Sequence, residues 1–379
     1  MSLLSALALS AQVPTKITGE MHKLALFPDG TVGGWGDMRD GQLGPRAEIP
    51  NASGHAKAYV PITLPAKARD IAAGNRNSYF LMEDGTVMAL GWGLYGQLGC
   101  GEACLKGSET PVKVTGLRNV ASIEACGSLA YAVHQDGALS AWGQGANGLY
   151  GGRAKGDGPP ISSEPLPVLG VAGIKQISCG GALVLALTND GRVYSWGVLH
   201  VNKVFSDEPQ RLPALVPGLD NVAQVVATGV AAVLKKDGTV WVWGNNQQAQ
   251  FGNGKRDDQN FSESPVRVPN VANAVALTGA LVGRHFLALL KDGTLRVWGN
   301  TDWGQAGVGI SGMEQASVAT PRISGVKTVF AAGNNSYAVK ADGSLWIWGS
   351  GSYYSGEWPM KANAKVPLRF SIPQGLVQP

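Results

Sequence analysis

One phrase recurs seven times along the chain: Asp-Gly, four further residues, and then Trp-Gly. The second copy departs from it, because Leu90 stands where the other six copies have Trp. The copies begin at Asp29, Asp84, Asp136, Asp190, Asp237, Asp292 and Asp342. Self-similarity at this spacing is typical of repeat architectures, in which each unit needs its neighbours to cover its apolar surface. We therefore expect one structure, although 379 residues would ordinarily suggest about two or three domains.

Short apolar segments flank every Asp-Gly pair, for example LALF before Asp29 and TVGGW after it. Two β-prone segments joined by Asp-Gly predict a hairpin, because such a turn needs positive φ. Another apolar segment precedes each hairpin, as at residues 69–74, and a segment led by proline follows it, as at residues 111–114, 265–268 and 321–323. We name the four strands A, B, C and D, with D at an outer edge where proline is tolerated. The sequence predicts an all-β, seven-bladed β-propeller with four antiparallel strands per blade and tryptophans packed between blades.

The two ends of the chain bear on how the ring closes. Residues 366–372 resemble a D strand, and we predict that they pair with the N-terminal hairpin and close the ring, which would remove exposed edges. Residues 1–12 are apolar and rich in small side chains but lack a positive segment. They fit a signal remnant, an arbitrary start of the sequence or a first strand, and they favour export to a periplasm or the extracellular space. Residues 13–379 are expected to form the single propeller.

Composition excludes some classes of function. Lys plus Arg number 31 against 27 Asp plus Glu, and this small excess is spread along the chain, so nucleic-acid binding is not expected. No apolar run reaches the roughly 18 residues of a transmembrane helix. We expect Cys126 and Cys179 to be small buried core residues, whereas Cys100 and Cys104, in a Gly-rich loop, could form a disulfide.

The repeat resembles that of the regulator of chromosome condensation family. The resemblance rests on Gly-x-His with Asp-Gly at residues 283–293, Trp-Gly at residues 298–299, and a terminal Gly-Gln-Leu-Gly phrase. That last phrase occurs at residues 41–44 and 96–99, with looser copies at 148–151, 250–252 and 304–307. The resemblance covers residues 13–372, implies a seven-bladed propeller and suggests a bacterial-type member. Fold likeness alone does not fix function, because propellers host unrelated activities.

Candidate binding residues follow from the strand order. A–B turns and C–D loops emerge on one face, which we call the loop-rich face, and function often lies on loops over a rigid scaffold. The position seven residues before each Asp is polar in four repeats that are contiguous in a closed ring, and we call these residues the polar arc: His285, Asn335, His22 and Asn77. We predict that the polar arc binds a partner together with Arg76, Arg284, Asp37, Arg39, Asp40, Trp92, Tyr95, Asp302, Trp303, Tyr353, Tyr354 and Trp358.

Two structural explanations compete with this prediction. Each histidine of the polar arc is equally compatible with a rim residue that hydrogen-bonds the next blade. Tyr95 and Trp303 could lean back over the apolar rim. Exposed aromatic residues beside arginine are nevertheless typical of protein–protein hot spots.

No phrase typical of a hydrolase, metalloprotease, nucleotide-binding loop or calcium loop is present. The sequence therefore predicts a non-enzymatic, monomeric protein without cofactor or metal that binds a folded protein partner, in an inhibitor-like or scaffold role. The resemblance includes a bacterial inhibitor of β-lactamases, whose Trp-Gly-x-x-x-Trp-Gly phrase is similar to residues 298–304.

The family resemblance also implies two alternatives. The first is a guanine-nucleotide exchange factor for a Ran-like small GTPase, in which Asp37, Asp40 and His285 would take part. The chain lacks the wedge-like insertion and basic tail of such factors. The second is an ultraviolet-B photoreceptor, but its Gly-Trp-Arg-His-Thr phrase is absent from the sequence.

Overall fold

The computed structural model describes residues 13–45, 54–145, 148–151, 161–198, 210–256, 261–311, 317–351 and 363–372. In these residues the chain forms seven small antiparallel sheets, each a meander of consecutive strands. The first strands of the sheets contact one another in sequence, and that of the last sheet contacts that of the first. The sheets are therefore the blades of a closed ring, and the predicted seven-bladed all-β propeller is confirmed.

Each blade takes its strands from one continuous stretch of chain. The first three blades comprise β1 (Lys16–Thr18), β2 (His22–Leu26), β3 (Val32–Asp37), β4 (His55–Ile62); β5 (Ala68–Ala73), β6 (Asn77–Met82), β7 (Val87–Gly91), β8 (Ser108–Lys113); and β9 (Val120–Cys126), β10 (Leu129–His134), β11 (Leu139–Gln144), β12 (Ile161–Pro167). The fourth and fifth comprise β13 (Ile174–Gly180), β14 (Leu183–Thr188), β15 (Val193–Gly197), β16 (Gln210–Leu215); and β17 (Val222–Ala227), β18 (Ala231–Lys235), β19 (Val240–Asn245), β20 (Phe261–Arg267). The last two comprise β21 (Ala274–Ala280), β22 (His285–Leu290), β23 (Leu295–Gly299); and β24 (Val326–Ala332), β25 (Asn335–Lys340), β26 (Leu345–Gly349), β27 (Ala364–Phe370).

The sixth blade has a reduced outer edge among its described residues. In place of a D strand, Ala319 forms a single antiparallel bridge with Val297. Their backbones exchange two hydrogen bonds, of 2.9 and 2.7 Å. The other six blades carry four strands each.

The prediction that the C-terminal strand pairs with the N-terminal hairpin is wrong for the described residues. β27 pairs with β26 of its own blade, and the first blade already has its outer strand in β4. The ring closes instead by side-chain packing, because Ile17, Phe27 and Trp35 of the first blade share one apolar cluster with Trp348 and Phe370 of the seventh.

The prolines of the D strands lie in β-bulges rather than at strand starts. β20 begins at Phe261, and Pro265 falls between the pairs Val242–Val266 and Gly244–Ser262. β8 is offset in the same way around Pro111. Both strands are outermost in their sheets, as predicted. A bulge tolerates proline because the extra residues leave the ladder unpaired there.

All four cysteines are paired. Cys100 and Cys104 form a disulfide within the C–D loop of the second blade. Cys126 and Cys179, expected as separate core residues, also form a disulfide, with Cα atoms 5.7 Å apart. Cys126 is the last residue of β9 and Cys179 is the last but one of β13, so this bond joins the third and fourth blades. The repeat places the two cysteines at near-equivalent positions of adjacent blades, and that adjacency brings them together.

Candidate functional site: the loop-rich face

In the second and sixth blades, the Gly-Gln phrase of the C–D loop fastens its blade to the next one. The carbonyl of Gln97 accepts hydrogen bonds from Tyr79 Oη of its own blade at 2.9 Å and from Trp142 Nε1 of the following blade at 2.8 Å. The carbonyl of Gln305 accepts one from Trp348 Nε1 at 2.7 Å. The repeated tryptophans are buried as predicted, and Trp142, Trp196 and Trp348 contribute a directed hydrogen bond as well as apolar area.

The one repeat without tryptophan uses a substitute donor. In the second blade Leu90 pairs with Ser78 in the sheet, and Ser78 Oγ donates to the carbonyl of Gln42 in the preceding blade at 2.6 Å. The carbonyl of the Gly-Gln phrase is thus satisfied across both kinds of blade interface. The hydrogen bond between blades is enough to explain why the phrase recurs, and a role in partner binding is not required to explain it.

The glutamine side chain of the same phrase holds the tip of the loop. Its Oε1 accepts the backbone N–H of the residue two positions earlier, which we call the tip residue, at 2.9 Å in three blades. The tip residues in these blades are Asp40, Tyr95 and Trp303. Three predicted site residues are therefore presented by equivalent, internally braced loops, which is the arrangement of a pre-organised surface.

A first cluster spans the first and second blades. The guanidinium of Arg76 lies 3.7 Å from the centre of the Trp92 ring and forms an ion pair with Asp40 of the preceding blade. Tyr95 is half-buried beside Leu94, whose side chain is 54% exposed. A cation stacked on an aromatic ring and paired with a carboxylate is held in one position. This cluster is a rigid, mixed apolar and charged surface.

Asp37, at the end of β3, carries a side chain that is almost completely buried. Arg39, which is exposed, closes over it with an Nη2–Oδ2 distance of 2.6 Å. Burial alone would raise the pKa of the Asp37 carboxyl, but the hydrogen bonds and the charge of Arg39 outweigh it, so the pKa lies below its ordinary value. Asp37 positions Arg39, and Arg39 is the member of the pair that reaches solvent.

A second cluster lies on the C–D loops of the fifth and sixth blades. Arg256 reaches across the blade interface and binds both carboxylate oxygens of Asp302, at 2.8 and 2.9 Å. Trp303, the next residue, is 43% exposed, and Arg284 on the A–B turn of the same blade is exposed. Asn300 N donates to the Arg284 carbonyl at 3.0 Å, which ties that turn to the C–D loop.

The polar arc is buried between the blades. His22 Nε2 lies 2.9 Å from Ser78 Oγ, and His285 Nε2 lies 3.0 Å from Ser336 Oγ, in each case on the following blade. Asn77 and Asn335 donate to the carbonyls of Trp92 and Ser350 within their own blades. All four side chains are 2% exposed or less. The two histidines link neighbouring blades, whereas the two asparagines brace their own blades. Because all four are buried, direct contact with a partner would fall to the exposed residues around them. Their predicted binding role remains a prediction.

The first blade carries a buried lysine at the position where the second and seventh blades carry Ser78 and Ser336. Lys23 pairs with Trp35 in β2–β3, as Ser336 pairs with Trp348 in β25–β26. It is fully buried and donates to the carbonyl of Glu20. Burial lowers the pKa of Lys23 to about 7, and the Glu20 carboxylate opposes that shift. Burial likewise raises the pKa of Glu20 to about 7 against the Lys23 charge.

Acid is expected to weaken the fold through the two arc histidines. Burial lowers the pKa of His22 to about 3, with the Lys23 charge adding to this, and burial lowers that of His285 to about 4. Both rings are therefore neutral when folded but gain a proton below about pH 6.5 when unfolded. The unfolded state then binds more protons, so stability falls as pH drops from 6.5 towards 4, by up to about 1.4 kcal/mol per pH unit and histidine. The urea midpoint of His285→Gln should depend less on pH across this range than that of the wild type; an unchanged dependence would contradict the assignment.

Tyr353, Tyr354 and Trp358 lie outside the described residues. Within the described part of the chain, no group of three or more His, Cys, Asp or Glu side chains is placed to hold a metal ion. The same residues include no helix that is long and apolar enough to cross a membrane. The loop-rich face is thus a rigid surface with charged and aromatic tips.

Two models of the regulator of chromosome condensation (RCC1) repeat match the chain, at residues 174–198 and 237–290. The chain is a seven-bladed β-propeller, and these two matches confirm that its sequence resembles the RCC1 repeat. Among curated proteins it is 33% identical over 260 residues to the human E3 ubiquitin-protein ligase HERC2. It is 28% identical over 335 residues to the X-linked retinitis pigmentosa GTPase regulator homolog of Caenorhabditis elegans. It is 30% identical over 278 residues to the ultraviolet-B receptor UVR8 of Arabidopsis thaliana.

These relatives are longer than the matched region. The alignments cover 65%, 76% and 70% of this chain but 5%, 23% and 59% of the three relatives. All three come from eukaryotes and give no support to a bacterial-type member. Their whole-protein activities therefore do not transfer directly to this chain.

Solved structures show the same fold. Human WBSCR16 superposes with a TM-score of 0.75 at 18% identity, covering 90% of this chain and 95% of that one. Prp20p from Saccharomyces cerevisiae gives a TM-score of 0.72 at 23% identity, covering 91% of this chain and 86% of that one. At these identities the likeness is one of architecture.

Sequence reasoning missed several residues of the loop-rich face. Leu94, Val282 and Ile310 are exposed apolar side chains on it, and Arg256 completes the second cluster. The length of the A–B turn in the sixth blade could have pointed to Val282, because the spacing between strands A and B is larger there than in the neighbouring blades. Arg256 carried no signal, because its partner lies 46 residues away.

Proposed function

We propose that this chain is a non-enzymatic propeller that binds a folded protein partner through its loop-rich face. The observation that carries the proposal is the repeated bracing of loop tips by the Gly-Gln phrase, which presents Tyr95 and Trp303 at equivalent positions. Aromatic and arginine side chains on a rigid surface lose little conformational entropy when they are buried against a partner.

Structural relatives support a binding role. Prp20p from Saccharomyces cerevisiae has binding properties towards Gsp1p and histones, and a further structure contains Kap60 bound to yeast RCC1 (Prp20). Those interactions belong to the yeast protein. For this chain they support the same general use of the fold, with a partner that is chosen by its own loops.

Substitution of the tips tests the proposal. Trp303→Ala and Tyr95→Ala are each expected to weaken binding of the native partner by about 10- to 100-fold while the thermal midpoint of the ring stays unchanged. The partner would be captured with the full chain from its native source, and its affinity for purified variants measured by calorimetry. Lys236→Ala, an exposed cation on the opposite face, is the control and should bind like the wild type. Equal binding by all of these variants would refute the role of the loop-rich face.

A second candidate is a guanine-nucleotide exchange factor for a Ran-like GTPase. It is supported by the name of a human relative, RCC1-like G exchanging factor-like protein, which is 30% identical over 260 residues. The test is release of labelled GDP from a Ran-like GTPase on addition of the chain. An acceleration that Asp40→Asn abolishes would support exchange, and none across several such GTPases would exclude it.

The disulfides help to distinguish the two candidate functions. Both pairs of cysteines are bonded, and structural disulfides persist in oxidising compartments but are rare in the cytosol and nucleus. This favours an exported binding protein over an exchange factor for a nuclear GTPase. Labelling of free thiols in the protein from its native source would distinguish them, because exported protein should show none.

A further inference from the structure

The sixth blade presents a longer A–B turn than its neighbours in the ring. Four residues, 281–284, separate β21 from β22, whereas two separate β24 from β25 in the seventh blade. The last of the four, Arg284, has φ +46°, and the equivalent residue of the fifth blade is Gly229 at φ +79°. A non-glycine residue in this left-handed region costs conformational energy, so the turn keeps an arginine at a position that favours glycine.

Exposed apolar side chains lie in the same turn and in the C–D loop that is hydrogen-bonded to it. Val282 in the turn and Trp303 in the C–D loop are each 43% exposed, and Ile310, later in the same loop, is 41% exposed. The hydrogen bond from Asn300 N to the Arg284 carbonyl holds the two segments together. The turn and the start of the loop thus form one patch, which we call the sixth-blade patch: Val282, Arg284 and Trp303.

The charge of this patch is positive. Its two segments, residues 281–284 and 300–311, contain two charged residues, Arg284 and Asp302. Asp302 is neutralised by the bidentate contact with Arg256. The Arg284 guanidinium makes no hydrogen bond or ion pair with any residue that the structure describes, so its five N–H donors remain available.

We propose that the sixth-blade patch recognises a protein segment that presents a carboxylate between apolar side chains. The carboxylate would accept two hydrogen bonds from Arg284, and the apolar neighbours would cover Val282 and Trp303. A guanidinium matches a carboxylate bidentately, and the surrounding apolar contacts exclude water from that pair. This inference rests on the proposed function and names the chemistry of the partner's contact segment.

The test uses random phage-displayed peptides of about twelve residues selected on the full chain. Selected peptides are expected to share Asp or Glu flanked by Leu, Phe or Ile. A synthetic copy of the best peptide should bind Arg284→Met about tenfold more weakly and Trp303→Ala about 30-fold more weakly than wild type. Matched controls are Lys236→Met, an exposed cation on the opposite face, and Leu368→Ala, an exposed apolar residue on an outer strand; both should bind like the wild type.

Other outcomes overturn the inference in distinguishable ways. No enrichment, or peptides that share basic residues, contradicts the chemistry assigned to the patch. Peptides that lose affinity with Arg76→Met or Tyr95→Ala, but not with Arg284→Met, move the contact to the first two blades and leave the proposed function intact. Peptides that respond to Leu368→Ala or Lys236→Met would overturn both the inference and the use of the loop-rich face. A peptide in which Lys replaces the acidic residue should bind at least about tenfold more weakly.

Discussion

Replacing Trp348 with alanine is expected to lower the unfolding free energy by about 3–5 kcal/mol, in the range of large-to-small changes in a protein core. Trp348 is fully buried in the apolar cluster that joins the sixth, seventh and first blades. Its Nε1 also donates to the carbonyl of Gln305, so the substitution removes packing and a directed hydrogen bond at once. Urea denaturation followed by tryptophan fluorescence and circular dichroism would measure the loss.

Phenylalanine substitutions separate the two contributions. Trp348→Phe keeps much of the apolar volume but removes the hydrogen-bond donor. It should lower the unfolding free energy by about 1–3 kcal/mol, because the buried carbonyl of Gln305 loses this donor. Trp298 is the matched control, because it is equally buried and its Nε1 has no hydrogen-bond partner among the residues that the structure describes. Trp298→Phe should therefore cost less than Trp348→Phe. The reverse order would show that the Gly-Gln carbonyl does not fasten the blades.

Removing the disulfide between the third and fourth blades is the second large effect. The double variant Cys126→Ala, Cys179→Ala is expected to lose about 4 kcal/mol, because the bond closes a long loop in the unfolded chain. The two residues are 53 positions apart. Chemical denaturation of both proteins without reductant would show the difference, and with reductant present in both samples the two stabilities should become similar.

The second disulfide provides an internal control. Cys100 and Cys104 are four positions apart, so Cys100→Ser with Cys104→Ser should cost about 2 kcal/mol on the same chain-entropy argument. Both pairs are bonded in one protein, so the comparison is free of other differences. Equal losses from the two double variants would mean that loop closure does not explain the stabilisation.

The propeller architecture could be predicted from the sequence because the phrase that marks each blade is repeated. Each Asp-Gly turn carries a glycine with positive φ, such as Gly30 at +81° and Gly238 at +80°, and the tryptophans lie between blades as the pattern indicated. The pairing partner of the C-terminal strand could not be predicted, since a terminal strand that resembles D fits either its own blade or a neighbouring one. The C-terminal strand pairs within its own blade because the first blade already holds a complete sheet.

Only part of the candidate site could be predicted from the sequence. Spacing correctly grouped the loop tips Tyr95 and Trp303 on one face, because strand order fixes sidedness. Spacing alone does not distinguish a buried histidine from an exposed one, and His22 and His285 turn towards the next blade's serines. Contacts between loops of different blades, such as Arg256 with Asp302, depend on loop conformation and carry no local sequence pattern.

The most direct test of the central claim is amide hydrogen exchange of the full chain with and without its captured partner. If the loop-rich face binds, exchange should slow at residues 92–97, 281–284 and 300–311 and stay unchanged at the Asp-Gly turns on the other face. Protection confined to the Asp-Gly turns, or to the outer strands such as β16 and β20, would contradict the claim.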